Sequence, residues 1–578
     1  MSTELPGAET ARTRAQAWAA ADPDPVTRAE LQALLASRND AEIRERMLGD
    51  LEFGTAGLRG VVGAGSARMN LAVVIRITRA VAEQLLARAD DARTLPVIVG
   101  GDARLDSQRF ADAAAGVLLA AGIPVKRFVE PVPTPLVAYA VRAFAANAGV
   151  MITASHNPAE YNGYKLYWND GIQVVPPTDV EIAARLAGVG AAKDVPLADL
   201  SRQELIGEQL TTGYLAEIRA QLPRVTGKRD LRIAYTPMHG VGAAIVERVF
   251  AEAGYAEFYS APAQREPDGH FPTLPFPNPE EAGALDLAIA LATEKNADLL
   301  IANDPDVDRL AIACPTPSGR WLPLTGNQIG LLLADFALAH SEAGSRALVL
   351  CSLVSSPMLE GIAESYGAHC ERVLTGFKWV WTAGLALEGQ GLRYCFGFEE
   401  ALGYSYGRAV RDKDGISAAL AFAELAVSCR ERGGTVIERL HALYRQHGLW
   451  ASVQHNVVLK GASGAARIAQ AMSDLAAKPP RVLAGRNVTN VRDLRHPAAD
   501  APSWRGAASL VELALEGGGR VFVRPSGTEP KLKLYVDLLA PVAADASITA
   551  TEDAARSEAQ RIASALVSAL ALDLPESS

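Results

Sequence analysis

Short apolar runs, polar turns and longer amphipathic stretches follow one another in a fixed order at three places in the chain. Val97-Ile98-Val99 runs into the turn Gly100-Gly101-Asp102, and the helical pattern after it ends at Ala121-Gly122-Ile123. Leu231 to Thr236 begins the same sequence of events, which closes at Ala253-Gly254-Tyr255. Ala347 to Cys351 begins it again, and it closes at Tyr366-Gly367-Ala368. Each stretch reads as strand, turn and helix, with glycine where a left-handed C-cap is wanted, and each is followed by a fresh strand. Three α/β units of similar plan are expected. The last part differs. Val521-Phe522-Val523 and Leu532 to Val536 flank a Gly/Pro turn, which predicts a hairpin between Arg520 and Asp537, and Ala554 to Leu572 has the period of an amphipathic helix. A smaller α+β domain is expected there. Polar stretches near 197–205, 315–325 and 445–455 place the domains at 1–205, 206–320, 321–448 and 449–578.

Composition agrees with four domains, since 578 residues at roughly 150 per domain give about that number. Hydrophobic content is 49% and charged content 21%, enough to bury large cores. The net charge of -10 argues against a nucleic-acid partner. The five cysteines form no C-x-x-C pair, and buried free thiols in a reducing cytoplasm are expected. The first residues carry Glu4, Glu9, Arg12 and Arg14 rather than an apolar leader, and no run of roughly 18 apolar residues occurs, so neither secretion nor a membrane partner is expected.

Four segments carry chemistry. Thr153-Ala154-Ser155-His156-Asn157-Pro158 follows the apolar Gly149 to Ile152, so Ser155 stands just past a strand end, where ligands collect in open α/β sheets. Taken alone, this serine reads first as a turn former, because a hydroxyl needs a base, a metal or local charge to become a nucleophile. Lys165 lies ten residues on, in a turn, Asn162 to Lys165, that leads into an apolar strand. In Asn303-Asp304-Pro305-Asp306-Val307-Asp308-Arg309, the strand Asp298 to Ala302 delivers three carboxylates at alternate positions. They repel one another unless a cation holds them, and all-oxygen ligation favours Mg²⁺ or Mn²⁺ over Zn²⁺. Arg309 beside them suggests a bridging phosphate. Phe398-Glu399-Glu400-Ala401-Leu402-Gly403 puts adjacent carboxylates at a strand end, suited to vicinal hydroxyls or else a surface acidic pair. Arg524-Pro525-Ser526-Gly527-Thr528-Glu529-Pro530, with Lys531 and Lys533 beyond, is a donor-rich turn able to hold a phosphate, or else a basic hairpin tip. Gly403-Tyr404-Ser405-Tyr406-Gly407 matches a serine-hydrolase elbow, but a charged loop rather than a helix follows it. Gly240-Val241-Gly242 reads as a tight strand-to-helix turn rather than a dinucleotide fingerprint.

Together these segments resemble the α-D-phosphohexomutase superfamily, which holds phosphoglucomutases and phosphomannomutases, with Gly54 to Gly60 matching its N-terminal arginine loop. The similarity extends from about Gly54 to Asp537, and the branch of phosphoglucomutase-2-type enzymes and phosphopentomutases looks nearest. The resemblance implies three similar mixed α/β domains and a smaller C-terminal α+β domain around a central cleft. It implies a cytoplasmic mutase, monomeric or homodimeric, acting on sugar phosphates with Mg²⁺ and a sugar bisphosphate activator. Ser155 would carry the phosphoryl group and share it with a metal held by Asp304, Asp306 and Asp308. Arg59, Lys165 and His156 would serve the reacting groups, and Lys413 would be the general acid/base. Arg309 would steady the phosphate. Thr375, Gly376, Lys378, Glu399 and Glu400 would contact the sugar, and Arg524, Ser526, Gly527, Thr528 and Lys533 the phosphate that is not transferred. Glucose is the expected sugar, with mannose and pentose as alternatives. Ala401 and Phe398 depart from the family's usual serine and glycine, and a lost hydroxyl contact shifts preference by about 1–3 kcal/mol. An aspartyl-type sugar phosphatase, opening on Asp304-Pro305-Asp306, is the rival from another class; a catalytically dead sugar-phosphate binder and a serine hydrolase through Ser405 are further rivals.

Overall fold

The computed structural model describes residues 8–52, 54, 57–88, 91–223, 225–459, 462–525, 531–543 and 546–572. The chain forms two compact units, Met1–Ile329 with Leu402–Glu431, and Gly330–Ala401 with Arg432–Ser578.

The first unit holds two sheets. In the six-stranded one the order is Leu58–Val61, Tyr161–Trp168, Ala148–Ile152, Val97–Gly101, Val125–Arg127, Glu204–Leu205. Val97–Gly101 and Ala148–Ile152 are buried along their whole length, as expected of parallel strands covered on both faces, whose sequences then read as continuous apolar runs. Helices Leu71–Arg88 and Ser107–Ala120 turn Val74, Ile77, Val81, Phe110, Ala114 and Leu118 into the core beneath them. The five-stranded sheet runs Trp321–Pro323, Ala311–Pro315, Leu299–Ala302, Ile233–Thr236, Phe258–Ser260. Ahead of these, helices Ala8–Ala21, Pro25–Ala36 and Asp40–Arg46 enclose a core of their own around Ala11, Ala15, Leu31, Ile43 and Met47. Their starts are chemically marked. The Asp24 carboxylate accepts from Val26 N at 3.0 Å ahead of Pro25, and Asn39 caps the third helix.

In the second unit, strands His369–Val373, Ala347–Ser352 and Arg393–Glu399 are neighbours and parallel. An antiparallel sheet follows in the order Leu449–Val458, Lys531–Ala540, Arg520–Pro525, Val511–Leu515, Arg486–Asp493, Val482–Leu483. Helices Ala462–Ala477 and Ile548–Ala569 contribute to the core of this sheet.

The three expected strand-turn-helix units are present, and Gly122, Gly254 and Gly367 all take positive φ after their helices. The hairpin is also present, with Arg520 opposite Asp537 and Pro525 opposite Leu532. Three expectations need correction. The terminal helix starts at Ile548, earlier than Ala554, because Ser547 caps it by accepting from Ala550 N. Of the five cysteines, Cys314 and Cys351 are buried while Cys370, Cys395 and Cys429 are half-buried. Asn162-Gly163 is no turn but lies inside strand Tyr161–Trp168. Gly163 is squeezed there: a Cβ would meet Leu58 O at 2.5 Å and Thr153 O at 2.6 Å. No helix among the described residues is long and apolar enough to cross a membrane.

Candidate active site

Two strands of the first unit end in the reactive loops. Ala148–Ile152 leads to Ser155, and Leu299–Ala302 leads to Asp304, Asp306 and Asp308. The serine loop is held by a buried salt-bridged pair. Asp102 accepts from Thr153 Oγ1 at 2.6 Å and from Ser107 Oγ at 2.7 Å, and Thr153 Oγ1 in turn accepts from Ser155 N at 2.9 Å. Arg104 donates to Ser155 O at 2.7 Å, to Pro158 O at 2.7 Å, to Tyr161 O at 3.0 Å and to Asn157 O, with its guanidinium over the Phe271 ring. These contacts stabilise Ser155 at φ +53°, a left-handed conformation that a serine does not adopt unaided.

The aspartate loop is shaped by close backbone approach. Val307 takes φ +63°, Asn303 Nδ2 donates to Arg309 O at 2.6 Å, and Val241 N donates to Pro305 O at 2.9 Å. Gly240 makes that approach possible, because a Cβ there would sit 2.3 Å from Pro305 Cα. Gly240-Val241-Gly242 is thus the tight turn before helix Ala243–Glu252 that the sequence suggests.

Ser155 Oγ donates to Asp304 Oδ2 at 2.6 Å, and His156 Nδ1 lies 3.2 Å from the same Oγ. The serine and aspartate loops therefore meet. Lys165 is fully buried and donates to Asp306 Oδ2 and Asp308 Oδ2, both at 2.7 Å, while Thr134 Oγ1 donates to Asp306 Oδ2 at 2.6 Å. Lys413 Nζ stands 3.1 Å from Asp308 Oδ2, placed by Asp412, whose other oxygen accepts from Tyr167 and Gln173 at 2.7 Å each. Arg309 Nε lies 3.9 Å from both Asp304 Oδ2 and Asp308 Oδ1, and Arg59 Nη1 donates to Asn157 Oδ1 at 3.5 Å.

Burial, then the Asp306 and Asp308 charges, push the Asp304 carboxyl well above the ordinary range. Burial also opposes ionisation of Asp308, but Lys165, Lys413 and Arg309 outweigh it and hold that carboxyl down. Burial works against the Lys165 ammonium too, and Asp306 with Asp308 more than offsets it. Burial, Arg309 and Arg59 lower the His156 imidazole well below its usual value, so it is neutral at pH 7.

The residues fit a divalent cation with a phosphate beside it. Oxygens of Asp304, Asp306 and Asp308 lie within 4.8 Å of one another. Asp306 Oδ1 and Asp308 Oδ1 are buried acceptors with no hydrogen-bond donor, and Arg59 Nε and Arg309 Nε are buried donors with no acceptor. Orphaned carboxylate oxygens suit a metal, and orphaned guanidinium N–H groups suit an anion.

The remaining candidates belong to the second unit. Glu399 Oε1 accepts from Gly376 N at 2.7 Å, which joins strand Arg393–Glu399 to the start of helix Phe377–Glu388. Thr375 and Lys378 flank that glycine and are half-buried. Glu400 accepts from Ser352 Oγ at 3.0 Å and Ser355 Oγ at 3.1 Å, and Arg520 donates to Ser355 O at 2.6 Å. Arg524 pairs with Lys533 across the hairpin. Ser526, Gly527 and Thr528 lie outside the described residues. Phe398 does not face the glutamates' loop. It is fully buried against Gly330, where a Cβ would come within 2.3 Å of its ring, so that departure belongs to the core. Ser405 is buried in strand Gly403–Tyr406, and the next helix begins only at Gly415, so no elbow exists.

Sequence reasoning missed Asp102, Arg104, Thr134 and Asp412. The signal for the first two was present in Gly101-Asp102-Ala103-Arg104, a charged turn after a buried strand. Thr134 and Asp412 join the site through contacts that reach partners 172 and 245 residues away in sequence.

Residues 50–192, 212–319, 325–447 and 483–547 match the alpha/beta/alpha domains I, II and III and the C-terminal domain of phosphoglucomutase/phosphomannomutase, in that order. A protein of Haemophilus influenzae named "Probable phosphomannomutase" is 40% identical over 76% of this chain and 87% of its own. A "Probable phosphoribomutase" of Schizosaccharomyces pombe is 36% identical over 90% of this chain and 92% of its own. The crystal structure of parafusin, a Paramecium phosphoglucomutase, shares the fold, with TM-score 0.66 at 18% identity over 89% of this chain and 97% of its own. Four matched domains in order and near full-length relatives place the chain in the phosphoglucomutase/phosphomannomutase family, the phosphomutases of the α-D-phosphohexomutase superfamily.

Proposed function

We propose that the protein interconverts the 1-phosphate and 6-phosphate of glucose through a phosphorylated Ser155 and a bisphosphate intermediate. One observation carries this reading: Ser155 Oγ lies 2.6 Å from Asp304 in a buried trio of aspartates surrounded by Lys165, Lys413, Arg309 and Arg59. Phosphoryl transfer requires neutralisation of spread charge, and this inventory supplies it.

Asp304, Asp306 and Asp308 hold Mg²⁺. When bound, the ion neutralises charge on the phosphoryl oxygens. Arg104 and Asp102 fix the direction of Ser155. Arg309 and Arg59 take the phosphate oxygens with their spare N–H groups. His156, neutral, stays close to Oγ without adding charge. In the forward step the bond from phosphorus to Ser155 Oγ breaks as one forms to the free sugar hydroxyl. Lys413 Nζ, acting as the neutral amine, takes the hydroxyl proton, and Oγ leaves as the oxyanion that attacks in the return step. In the return step Ser155 accepts the other phosphate, and Lys413 returns the proton to the departing sugar oxygen. Lys165 keeps Asp306 and Asp308 ionised. Thr375, Gly376, Lys378, Glu399 and Glu400 recognise the sugar, and Arg524, Ser526, Gly527, Thr528 and Lys533 hold the other phosphate. A sugar bisphosphate primes Ser155.

Pentose phosphate is the second reading, favoured by the 36% identity to the protein named as a phosphoribomutase. A coupled assay on glucose 1-phosphate, mannose 1-phosphate and ribose 1-phosphate decides between them. Glucose 1-phosphate is expected to give the highest kcat/KM, and release of inorganic phosphate without isomerisation would replace the mutase by a phosphatase.

A further inference from the structure

A cavity of about 330 Å³ lies where helix Ala8–Ala21 packs against the first domain, and none of its lining residues belongs to the site described above. Arg14, Trp18, Asp22 and Met47 on its wall precede residue 50, where the match to domain I begins, so this wall is built by a segment outside that match. Its volume is within the range of about 300–1,000 Å³ typical of small-molecule sites.

The unspent polar capacity of this cavity consists mainly of donors. The Trp18 indole Nε1 is buried with no hydrogen-bond partner. Arg76 lies 5.7 Å from the centroid of the same indole, and only its Nη2 is engaged, by Leu186 O at 3.5 Å and Val189 O at 3.4 Å. Neither Arg76 nor Arg14 has a carboxylate partner among the described residues. The acidic side chains do not cancel this. Both Asp22 oxygens are taken, by Asp24 N at 2.9 Å and Thr27 Oγ1 at 2.6 Å, and Asp50 is exposed. Apart from Ser66, whose Oγ donates to Gly49 O at 2.6 Å, the rest of the wall is mainly apolar: the indole, Met47, Val189 and several alanines.

We propose that this cavity is a second ligand site, which binds a small organic anion with a flat apolar body. The acid group meets Arg14, Arg76 and Trp18 Nε1, and the body lies against the indole and Met47. A guanidinium already set over an indole face provides a charged and a flat surface together, and a buried N–H without a partner gains the full value of a new acceptor.

The test is fluorescence titration of the full-length protein with 8-anilinonaphthalene-1-sulfonate, an anionic aryl probe, and with its uncharged analogue N-phenyl-1-naphthylamine. One saturable site is expected, undisturbed by saturating glucose 1-phosphate, with the uncharged analogue at least about tenfold weaker. Arg76→Gln is expected to weaken the sulfonate about tenfold. Arg14→Gln, at an exposed helix position where glutamine is well tolerated, reports the same contact in a protein that folds, with a fall of about threefold or more. Ala17→Phe, which fills the mouth, is expected to abolish binding. Equal affinity in Arg14→Gln and Ala17→Phe, equal affinity for the uncharged analogue, or displacement by glucose 1-phosphate would each overturn the proposal.

Discussion

The two regions that hold the candidate site residues are built in different ways. Around Ser155 most of the charged groups face another charged group. Lys165 bonds Asp306 and Asp308, Lys413 faces Asp308, and Arg104 salt-bridges Asp102 while binding the loop carbonyls, nearly all of it out of water. Around Glu400 the carboxylate is half-buried and accepts from the neutral hydroxyls Ser352 Oγ and Ser355 Oγ, and Gly376 N donates to the half-buried Glu399. Buried ion networks hold one geometry, because losing any member leaves an unpaired charge in low dielectric. Hydroxyl and amide contacts can be rearranged at a cost of about 1 kcal/mol each. The first arrangement suits a step whose atoms never change. The second suits recognition that differs between relatives with similar chemistry.

Four substitutions sharpen that contrast. Ser155→Ala should reduce turnover to background while leaving the fold intact, since Oγ donates one hydrogen bond; activity near that of the parent protein would remove the serine from the mechanism. Lys165→Met should cost about 3–5 kcal/mol in urea unfolding, because Asp306 and Asp308 then stay buried without their shared cation. If the aspartates hold Mg²⁺, the ion at a hundredfold excess over Kd should stabilise the parent protein by about 2.7 kcal/mol, read as a raised thermal midpoint, and chelation should reverse the gain. Arg104→Lys keeps the charge but loses most of the four carbonyl contacts. It should lower kcat by about tenfold to a hundredfold through misplacement of Ser155, with KM nearly constant. A rise in KM with unchanged kcat would show instead that Arg104 acts on binding. Ser355→Ala, which frees Glu400 from one hydroxyl, should change kcat/KM among the three sugar phosphates by about 1 kcal/mol and leave the maximal rate within a few-fold. A large loss of kcat there would mean that the second region is as rigid as the first.

Much of the fold was legible in the chain. The three buried strands announce themselves as apolar runs, because a strand covered on both faces has no polar alternation, and the glycines after their helices mark left-handed caps. The three N-terminal helices were not anticipated, although Asp24-Pro25 and Asn39-Asp40 carry ordinary start signals. Their small core relies on alanines, which contribute weak periodicity. The reading of Asn162-Gly163 as a turn failed because glycine there serves close strand packing rather than chain reversal.

The same division applies to the site. Sequence alone determined the types and order of the candidate groups, because a hydroxyl past a strand end, an alternating carboxylate trio and a guanidinium are local properties of a few consecutive residues. Tertiary structure decided which of them touch. Ser155 meets Asp304 across 149 residues and Lys165 meets Asp308 across 143. It also decided that Thr134, Asp102, Arg104 and Asp412 support the centre, and that Phe398 belongs to the core. Charge, burial and distance combine only after the strands have paired, so the protonation states and the grip on the serine arise from the folded packing and not from any one segment.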